Sequence, residues 1–365
     1  MTKQHKKYGI GIFILISLFF LIQTSYWYSF TLKSPNNLSI KYLEPVFNST
    51  KSLELIHEQI SLGPRIPGSN AIEKTRHLII NSLPDWNIIF QNFSKDWGSL
   101  EDVPIVNLIC YPPSIQQSEQ IFLIMAHYDT RLWADKDPDY SKRKEPVLGA
   151  NDGASGVAIS LELARVLNEY HNLSNFYLIF FDAEDQGNIN GWDWILGSRY
   201  FASSDMLTNI NPSFAILLDM VGAENASFFK EINSIKYAGD LVNFIWDTAH
   251  TIGYNNYFIN KSGKSIIDDH IPLLEKGFPA IDIIDDFNFR FTPWHTSFDN
   301  ITFIDIQTLH AVGTTVELSL VLLNNEHTKL FSLSSLHYSS SFEFFWILST
   351  GIVLKLPRYI RSKKN

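Results

Sequence analysis

The segment from Ile121 to Thr130 has the sequence IFLIMAHYDT, in which the uninterrupted apolar run IFLIMA is followed by His127 and, two residues later, Asp129. An apolar run of this length is typical of a strand buried on both faces of a helix-covered sheet. Three similar runs follow later in the chain: Phe176 to Phe181 (FYLIFF), Phe214 to Leu218 (FAILL) and Ala280 to Ile284 (AIDII). Apolar spacing of three and four residues predicts helices at Ser155 to Tyr170, Leu241 to Gly253 and Asp305 to Leu323.

This alternation of short apolar strands and helices predicts an α/β fold. We expect a mixed, largely parallel central sheet covered by helices on both faces, a three-layer sandwich formed by one domain over residues 34–327. The 365 residues are 45% hydrophobic and 18% charged, which excludes disorder as the dominant state. The net charge of -9 argues against nucleic acid as a partner. The single cysteine, Cys110, excludes an internal disulfide and any zinc site built from several cysteines.

The two ends of the chain have membrane-like composition. Residues 1–33 contain lysines followed by a charge-free stretch that closes in Tyr26-Trp27-Tyr28, which favours an N-terminal membrane anchor over a cleaved signal segment. Residues 328–365 contain a second apolar stretch, Tyr338 to Leu354, before a basic tail. This stretch is either a second membrane segment with a cytoplasmic tail or a helix that packs at an interface. The domain between the ends is expected to be extracytoplasmic, at the cell surface or in a secretory lumen.

Seven Asn-X-Ser/Thr sequons lie between these ends, and such sequons are glycosylation acceptors in secretory proteins. They are Asn37, Asn48, Asn92, Asn172, Asn225, Asn260 and Asn300.

Acidic and histidine residues follow each predicted strand. His127 follows the first, Glu184 and Asp185 lie just after the second, Asp219 follows the third, and His295 lies shortly after the fourth. Ligands of parallel α/β sheets bind beyond the carboxyl ends of the strands. Each residue has an ordinary structural explanation when taken alone, such as a turn or a helix cap. Together, however, their like charges would repel at one sheet edge unless cations neutralised them, so the pattern predicts a metal site.

Imidazole and carboxylate ligands favour zinc or a similar divalent ion. Asp152, in the small-residue loop GANDGASG, would form a three-ligand site with Asp185 and His295. His127 and Asp219 would complete a second site, with Asp152 as the bridge. Glu184 remains as a free carboxylate for general base and acid catalysis.

The chain from about Ser61 to Leu323 resembles the M28 family of zinc-dependent hydrolases, and within it the glutaminyl-peptide cyclotransferases (glutaminyl cyclases). The order and spacing of eight segments carry this resemblance. They are GPRIPGS (63–69), AHYDT (126–130), GANDGASG (149–156), FFDAED (180–185), LGSRYFA (196–202), LLDMVGAEN (217–225), DDHIPLLEKGFPA (268–280) and WHT (294–296).

The resemblance implies that Asp152, Asp185 and His295 bind zinc and that Glu184 transfers the proton. It implies that Asp268 and Asp219 support the substrate amine and its hydrogen-bond network. It further implies that Trp294 and Trp192 are walls of the substrate pocket.

The sequence also departs from the cyclase pattern. Animal cyclases usually have Glu-Glu where this chain has Glu184-Asp185, and Asp282 stands where they usually carry a histidine near the substrate network. Trp194 is an alternative to Trp192 as the pocket wall. The GANDGASG loop is closer to the corresponding segment of the aminopeptidases. The number of zinc ions, one or two, therefore stays open at this point.

The leading hypothesis is a membrane-anchored, zinc-dependent cyclotransferase that converts N-terminal glutamine of peptides or proteins to pyroglutamate and releases ammonia. The alternative is a two-zinc aminopeptidase of the M28 type. A non-catalytic, membrane-anchored binding domain is a third hypothesis, but it predicts missing ligands, whereas the candidate ligands and Glu184 are all present.

Overall fold

The structure is a computed structural model and describes residues 43–115, 120–286 and 293–324. The predicted membrane segments in 1–33 and 328–365, and the sequon at Asn37, lie outside the described residues. The strands are β1 (Asn87–Trp97), β2 (Leu100–Tyr111), β3 (Phe122–His127), β4 (Phe176–Phe181), β5 (Phe214–Asp219), β6 (Phe228–Lys230), β7 (Phe258–Ser262) and β8 (Ala280–Ile284). The helices are α1 (Ser49–Ser61), α2 (Asn70–Asn81), α3 (Ala154–Glu169), α4 (Leu196–Ser203), α5 (Asp205–Ile210), α6 (Ile232–Thr251), α7 (Ile271–Glu275) and α8 (Ile306–Asn324).

Six strands form one sheet in the order β1-β2-β4-β3-β5-β8. Strands β4, β3, β5 and β8 are parallel, whereas β1 and β2 form an antiparallel hairpin that joins β4 antiparallel. Strands β6 and β7 form a separate parallel pair. The main sheet is therefore mixed and largely parallel, as the sequence predicts.

Helices cover both faces of this sheet. On one face α3 packs against β3 and β5. On the other face α4, α5 and α7 contribute Phe201, Leu207 and Leu273 to a core that includes Met125 of β3 and Ile179 of β4. Because both faces are covered, the central strands are buried along their whole length, which explains their continuous apolar sequences.

Helix α6 begins earlier than its periodicity predicts, at Ile232 instead of Leu241. The carboxylate of Glu231 caps it by accepting hydrogen bonds from the backbone N–H groups of Asn233 and Ser234. Ala238 has non-helical backbone angles (φ -140°, ψ 35°) inside the helix, so the apolar spacing is broken at that point. The β1–β2 hairpin was not predicted, because β1 is an edge strand with mostly exposed or half-buried side chains.

Helix α8 is the one helix among the described residues that is long and apolar enough to cross a membrane, and 83% of its most apolar window is buried inside the fold. Its Glu317 accepts hydrogen bonds from the backbone N–H groups of Val46 and Phe47. Gly313 lies against the ring of Phe47, where any larger side chain would clash. These contacts make α8 a core helix of the domain.

Candidate metal and catalytic site

The functional residues meet at the carboxyl edge of the parallel strands. His127 is the last residue of β3, and Asp219 is the last residue of β5. Glu184 and Asp185 lie in the turn after β4, which is the neighbour of β3 on its other side. Adjacent parallel strands end at the same edge, so side chains far apart in sequence come together there.

Asp152, Asp185 and His295 form a buried group whose ligand atoms all lie within 4.8 Å of one another. Nε2 of His295 lies 2.8 Å from Oδ1 of Asp185 and 3.8 Å from Oδ2 of Asp152. Oδ2 of Asp152 and Oδ2 of Asp185 are buried without a hydrogen-bond partner among the described residues. Buried polar atoms are normally paired, and one imidazole with two carboxylates is a donor set that fits zinc. These residues would therefore hold a zinc ion.

A second group of ligand atoms, His127, Asp152 and Asp219, shares Asp152 with the first. Nε2 of His127 lies 3.1 Å from Oδ1 of Asp152 and 3.1 Å from Oδ1 of Asp219. Burial disfavours the charged imidazole, but the carboxylates of Asp219, Asp129 and Asp152 outweigh burial and raise the pKa of His127 well above its usual value. These carboxylates therefore favour the charged form of the His127 imidazole.

Two buried aspartates position the backbone that carries the ligands. Asp299 accepts hydrogen bonds from the backbone N–H groups of Asn151 (2.7 Å) and Asp152 (3.1 Å). Asp129 accepts them from the N–H groups of Glu184 (3.0 Å) and Asp185 (3.2 Å). Neither aspartate was predicted as a site residue, although Asp129 lies in the AHYDT segment, directly after a strand.

Arg65 of the GPRIPGS segment holds the loop that leads to Asp152. This arginine is fully buried and donates hydrogen bonds to the carbonyl oxygens of Tyr128 (3.1 Å), Leu148 (2.6 Å) and Gly149 (2.7 Å). Gly153 follows Asp152 with φ +98°, and a side chain there would approach a backbone oxygen of Asp129 at 2.8 Å. Only glycine fits this turn without strain.

Three residues at the site have a strained backbone. Ala183, Met220 and His295 have left-handed φ angles of 55°, 50° and 57°, a region that non-glycine residues seldom adopt. Ala183 precedes Glu184, and Met220 follows Asp219. Residues in such conformations persist where the surrounding structure fixes them, and they cluster at functional sites.

Glu184 lies beside a cluster of buried carboxyl groups. Burial, with the charges of Asp185, Asp268 and Asp269, raises the pKa of Glu184 well above its usual value. Burial and the charge of Asp219 raise the pKa of Asp268 to about 7. Burial, with the charges of Asp268 and Asp219, also raises the pKa of Asp282. The raised pKa of the Asp268 carboxyl group lies near neutral pH, the range that acid–base catalysis requires.

A cavity of ≈ 400 Å³ opens above the ligand groups. Its floor includes Asp152, Glu184, Asp185, Asp219 and Asp268. Its apolar walls are Trp194, Trp294, Met220, Ile266, Ile267 and Ile284. The indole of Trp294 stacks on the imidazole of His295 at 3.8 Å, and Trp194 lies parallel to the same imidazole at 5.8 Å.

Two residues expected at the substrate lie elsewhere. Trp192 is buried under the β1–β2 hairpin, where it stacks on Trp97 at 4.7 Å and donates its indole N–H to the carbonyl oxygen of Asp96. The wall is formed by Trp194, the alternative that the sequence left open. Asp282 does not line the cavity, because it is fully buried beside Asp268 and faces Nδ1 of His270 at 3.8 Å. The structure thus places neither side chain in the lining of this cavity.

Buried imidazole and carboxylate side chains at the carboxyl edge of a mixed sheet, beside the buried carboxyl group of Glu184, define an α/β metalloenzyme. The sequence of residues 107–319 matches the family described as Peptidase family M28. The chain belongs to that family, which confirms the predicted family and the prediction of an enzyme.

Relatives in this family carry out two kinds of reaction. The glutaminyl-peptide cyclotransferase of Bos taurus is 28% identical over 321 residues, which are 75% of this chain and 83% of the relative. Aminopeptidase YwaD of Bacillus subtilis is 29% identical over 214 residues, which are 55% of this chain. The match spans only 40% of the aminopeptidase's own length.

Solved structures divide in the same way. The glutaminyl cyclase of Porphyromonas gingivalis is 34% identical, with a TM-score of 0.71 over 76% of this chain and 99% of that chain. A Zn-dependent exopeptidase from Parabacteroides distasonis is 33% identical, with the same TM-score and the same coverage. The fold is therefore common to both reaction classes, and the choice between them depends on the site.

Proposed function

We propose that the protein is a zinc-dependent glutaminyl-peptide cyclotransferase. The observation that carries this proposal is the pairing of Glu184 and Asp268, two buried carboxyl groups that line one cavity with Asp152 and Asp185. Cyclisation transfers a proton from an amine to a departing amide nitrogen and needs no water. Adjacent carboxyl groups with raised pKa values suit such a transfer.

In this proposal Asp152, Asp185 and His295 hold the zinc ion. When bound, zinc supplies a Lewis acid that polarises the γ-carbonyl group of an N-terminal glutamine. The carboxylate of Glu184 accepts a proton from the α-amine as the amine nitrogen bonds to the γ-carbon. Glu184 then returns this proton to the amide nitrogen, the bond between that nitrogen and the γ-carbon breaks, and ammonia leaves.

Asp268 has the role of holding the α-amine. Its Oδ1 accepts a hydrogen bond from the backbone N–H of Asp269 at 2.6 Å, which fixes the carboxyl group at the cavity. Trp194 and Trp294 flank the metal-binding residues and would exclude water from the reacting amide. Exclusion of water favours attack by the amine over hydrolysis.

One observation favours the alternative, an aminopeptidase with two zinc ions. His127 and Asp219 complete a second ligand group around Asp152, and a metal pair would activate a water molecule for attack on the first peptide bond. The two functions differ in their products, because the aminopeptidase releases a free amino acid and the cyclotransferase releases ammonia.

Product analysis tests the proposal. Purified protein with zinc is incubated with a peptide that begins with glutamine, and the products are separated by mass spectrometry while ammonia is measured. The expected products are a peptide that has lost one ammonia and an equal amount of free ammonia. A shortened peptide with free glutamine would support the aminopeptidase instead.

We infer that the domain acts outside the cytoplasm on peptide or protein N-termini. In support, Asn48, Asn92, Asn172, Asn225 and Asn260 are exposed sequons, so an oligosaccharide could attach to them without unfolding the domain. Treatment of the protein from its native source with an N-glycanase tests this, and an unchanged mass would contradict it.

A further inference from the structure

A buried arginine connects the long loop of residues 131–148 to the metal-binding residues. Arg131 is only 3% exposed. It forms a two-pronged ion pair with Asp135, with Nε 2.7 Å from Oδ1 and Nη2 3.0 Å from Oδ2. Such a fork fixes the planes of both groups and is stronger than a single-contact ion pair.

The same guanidinium group contacts one metal-binding residue directly. Nη1 of Arg131 donates to the backbone carbonyl oxygen of Asp185 at 2.9 Å and lies 3.6 Å from its Oδ1. Nη2 donates to the carbonyl oxygen of Gly187 at 3.3 Å. Arg131 therefore fixes the turn in which Asp185 lies.

Asp135 faces a second metal-binding residue. Its Oδ1 lies 3.5 Å from Nδ1 of His295, the ring nitrogen opposite Nε2. The next residue, Lys136, donates its backbone N–H to the carbonyl oxygen of His295 at 3.1 Å. A histidine that binds metal through one nitrogen is normally oriented by a carboxylate or carbonyl at the other, and Asp135 has the position for this task.

The pocket wall belongs to the same assembly. The guanidinium carbon of Arg131 lies 4.7 Å from the centre of the Trp194 ring. The same ring is parallel to the imidazole of His295, with an angle of 11° between them. The ring lies so close to Gly187 that a Cβ atom there would approach it at 2.1 Å.

We propose that Arg131 and Asp135 are positioning residues that set the zinc affinity of the site, acting through His295 and Asp185. This inference rests on the metal-binding part of the proposed function and is independent of the reaction catalysed. Arg131 holds Asp185 and orients Asp135, and Asp135 orients the imidazole of His295.

Zinc affinity of the full-length protein tests the proposal. Asp135→Asn removes one charge from a side chain that is 36% exposed, and Arg131→Lys removes the fork. Zinc dissociation constants are measured by competition with a chromophoric chelator. Both variants are expected to bind zinc about 10–100-fold more weakly, the usual cost of losing such an outer contact.

Arg165→Lys is the matched control. Arg165 forms the same kind of fork with Glu162, with Nε 2.8 Å from Oε2 and Nη2 2.5 Å from Oε1, on α3. The zinc affinity of Arg165→Lys is expected to equal that of the parent protein. Stability of the zinc-free proteins in urea is measured in parallel, and we expect Asp135→Asn and the parent to unfold at similar urea concentrations.

Substitution with Co²⁺ gives a readout that a structural role would not change. The visible absorption of bound Co²⁺ depends on ligand geometry, so Asp135→Asn is expected to shift the spectrum and Arg165→Lys is not. Parent-like zinc affinity and an unchanged Co²⁺ spectrum in Asp135→Asn would overturn the inference. If Arg131→Lys does not fold, the result for Asp135→Asn alone decides the test. A parent protein that binds no zinc would contradict the proposed function as well.

Discussion

Oδ1 of Asp152 lies 3.1 Å from Nε2 of His127. The other oxygen of this carboxylate faces His295, so Asp152 belongs to both ligand groups. In the proposed cyclotransferase the group with His295 binds zinc, and His127 lies within 3.1 Å of the carboxylates of Asp152 and Asp219 without binding a metal ion. A one-metal enzyme therefore differs from a two-metal enzyme in whether His127 binds a metal ion.

Metal counting on two variants tests this distinction. His295→Ala is expected to lose zinc, because it removes a ligand of the occupied group. His127→Ala is expected to keep one zinc ion per chain, as the parent does. The measurement is zinc per chain by atomic emission after dialysis, and two ions in the parent with one in His127→Ala would favour the aminopeptidase.

Glu184→Gln should lower kcat strongly without loss of zinc. The substitution keeps the size of the side chain but removes the proton acceptor, and general acid–base catalysis typically contributes about 10²–10⁴-fold to the rate. We therefore expect kcat to fall by at least about 10²-fold. Glu224→Gln, at an exposed position, is the control and should turn over normally. Normal kcat in Glu184→Gln would show that another group carries the proton.

Trp194 and Trp192 should give opposite phenotypes. Trp194→Ala removes a cavity wall and is expected to raise KM for the peptide about tenfold. Trp192→Phe removes the hydrogen bond from the indole N–H to the carbonyl oxygen of Asp96 and should lower the free energy of unfolding by about 1–2 kcal/mol, with KM unchanged. Steady-state kinetics and urea unfolding of both variants check this prediction, which the reverse pattern would contradict.

The carboxyl group of Glu231 should make the free energy of unfolding decrease as the pH falls into the acidic range. Burial alone would raise the pKa of this carboxyl group, but the hydrogen bond with His270 and backbone N–H groups lower it to about 2. A depressed pKa stabilises the fold above the unfolded value of about 4.5, and this contribution is lost as pH falls toward 2. Glu231 also accepts a hydrogen bond from the backbone N–H of Ile266 at 3.0 Å. Because Ile266 lines the cavity, this hydrogen bond holds part of the cavity wall in place.

Urea unfolding of the parent and of Glu231→Gln over a range of pH checks this. The variant should be less stable at pH 7 by about 2 kcal/mol, and the difference should shrink below pH 4.5. The control is Glu275→Gln, which alters an exposed ion pair with Arg199 and should change little at any pH. A difference that grows in acid would refute the prediction.

The positions of the buried strands could be predicted from the sequence for physical reasons. The apolar runs of β4 and β8 have the predicted limits because they are buried on both sides. Residues directly after such strands must lie at the sheet edge, so the meeting of His127, Asp185 and Asp219 follows from the topology.

Contacts between distant loops could not be predicted in this way. Trp192 and Trp194 are two residues apart, and only the turn around Gly187 and the hairpin at Trp97 decide which indole faces the cavity. Likewise, the partners of Arg131 depend on the path of a long loop without apolar periodicity. The β1–β2 hairpin was missed because an exposed edge strand lacks a continuous apolar run.

The most direct test of the central claim uses a peptide whose N-terminal glutamine carries ¹⁵N in its side-chain amide. The cyclotransferase mechanism predicts that the parent protein releases all of the label as ammonia and leaves an unlabelled, full-length pyroglutamyl peptide. Glu184→Gln should release the label at least about 10²-fold more slowly. Label retained in free glutamine, together with a peptide shortened by one residue, would contradict the account.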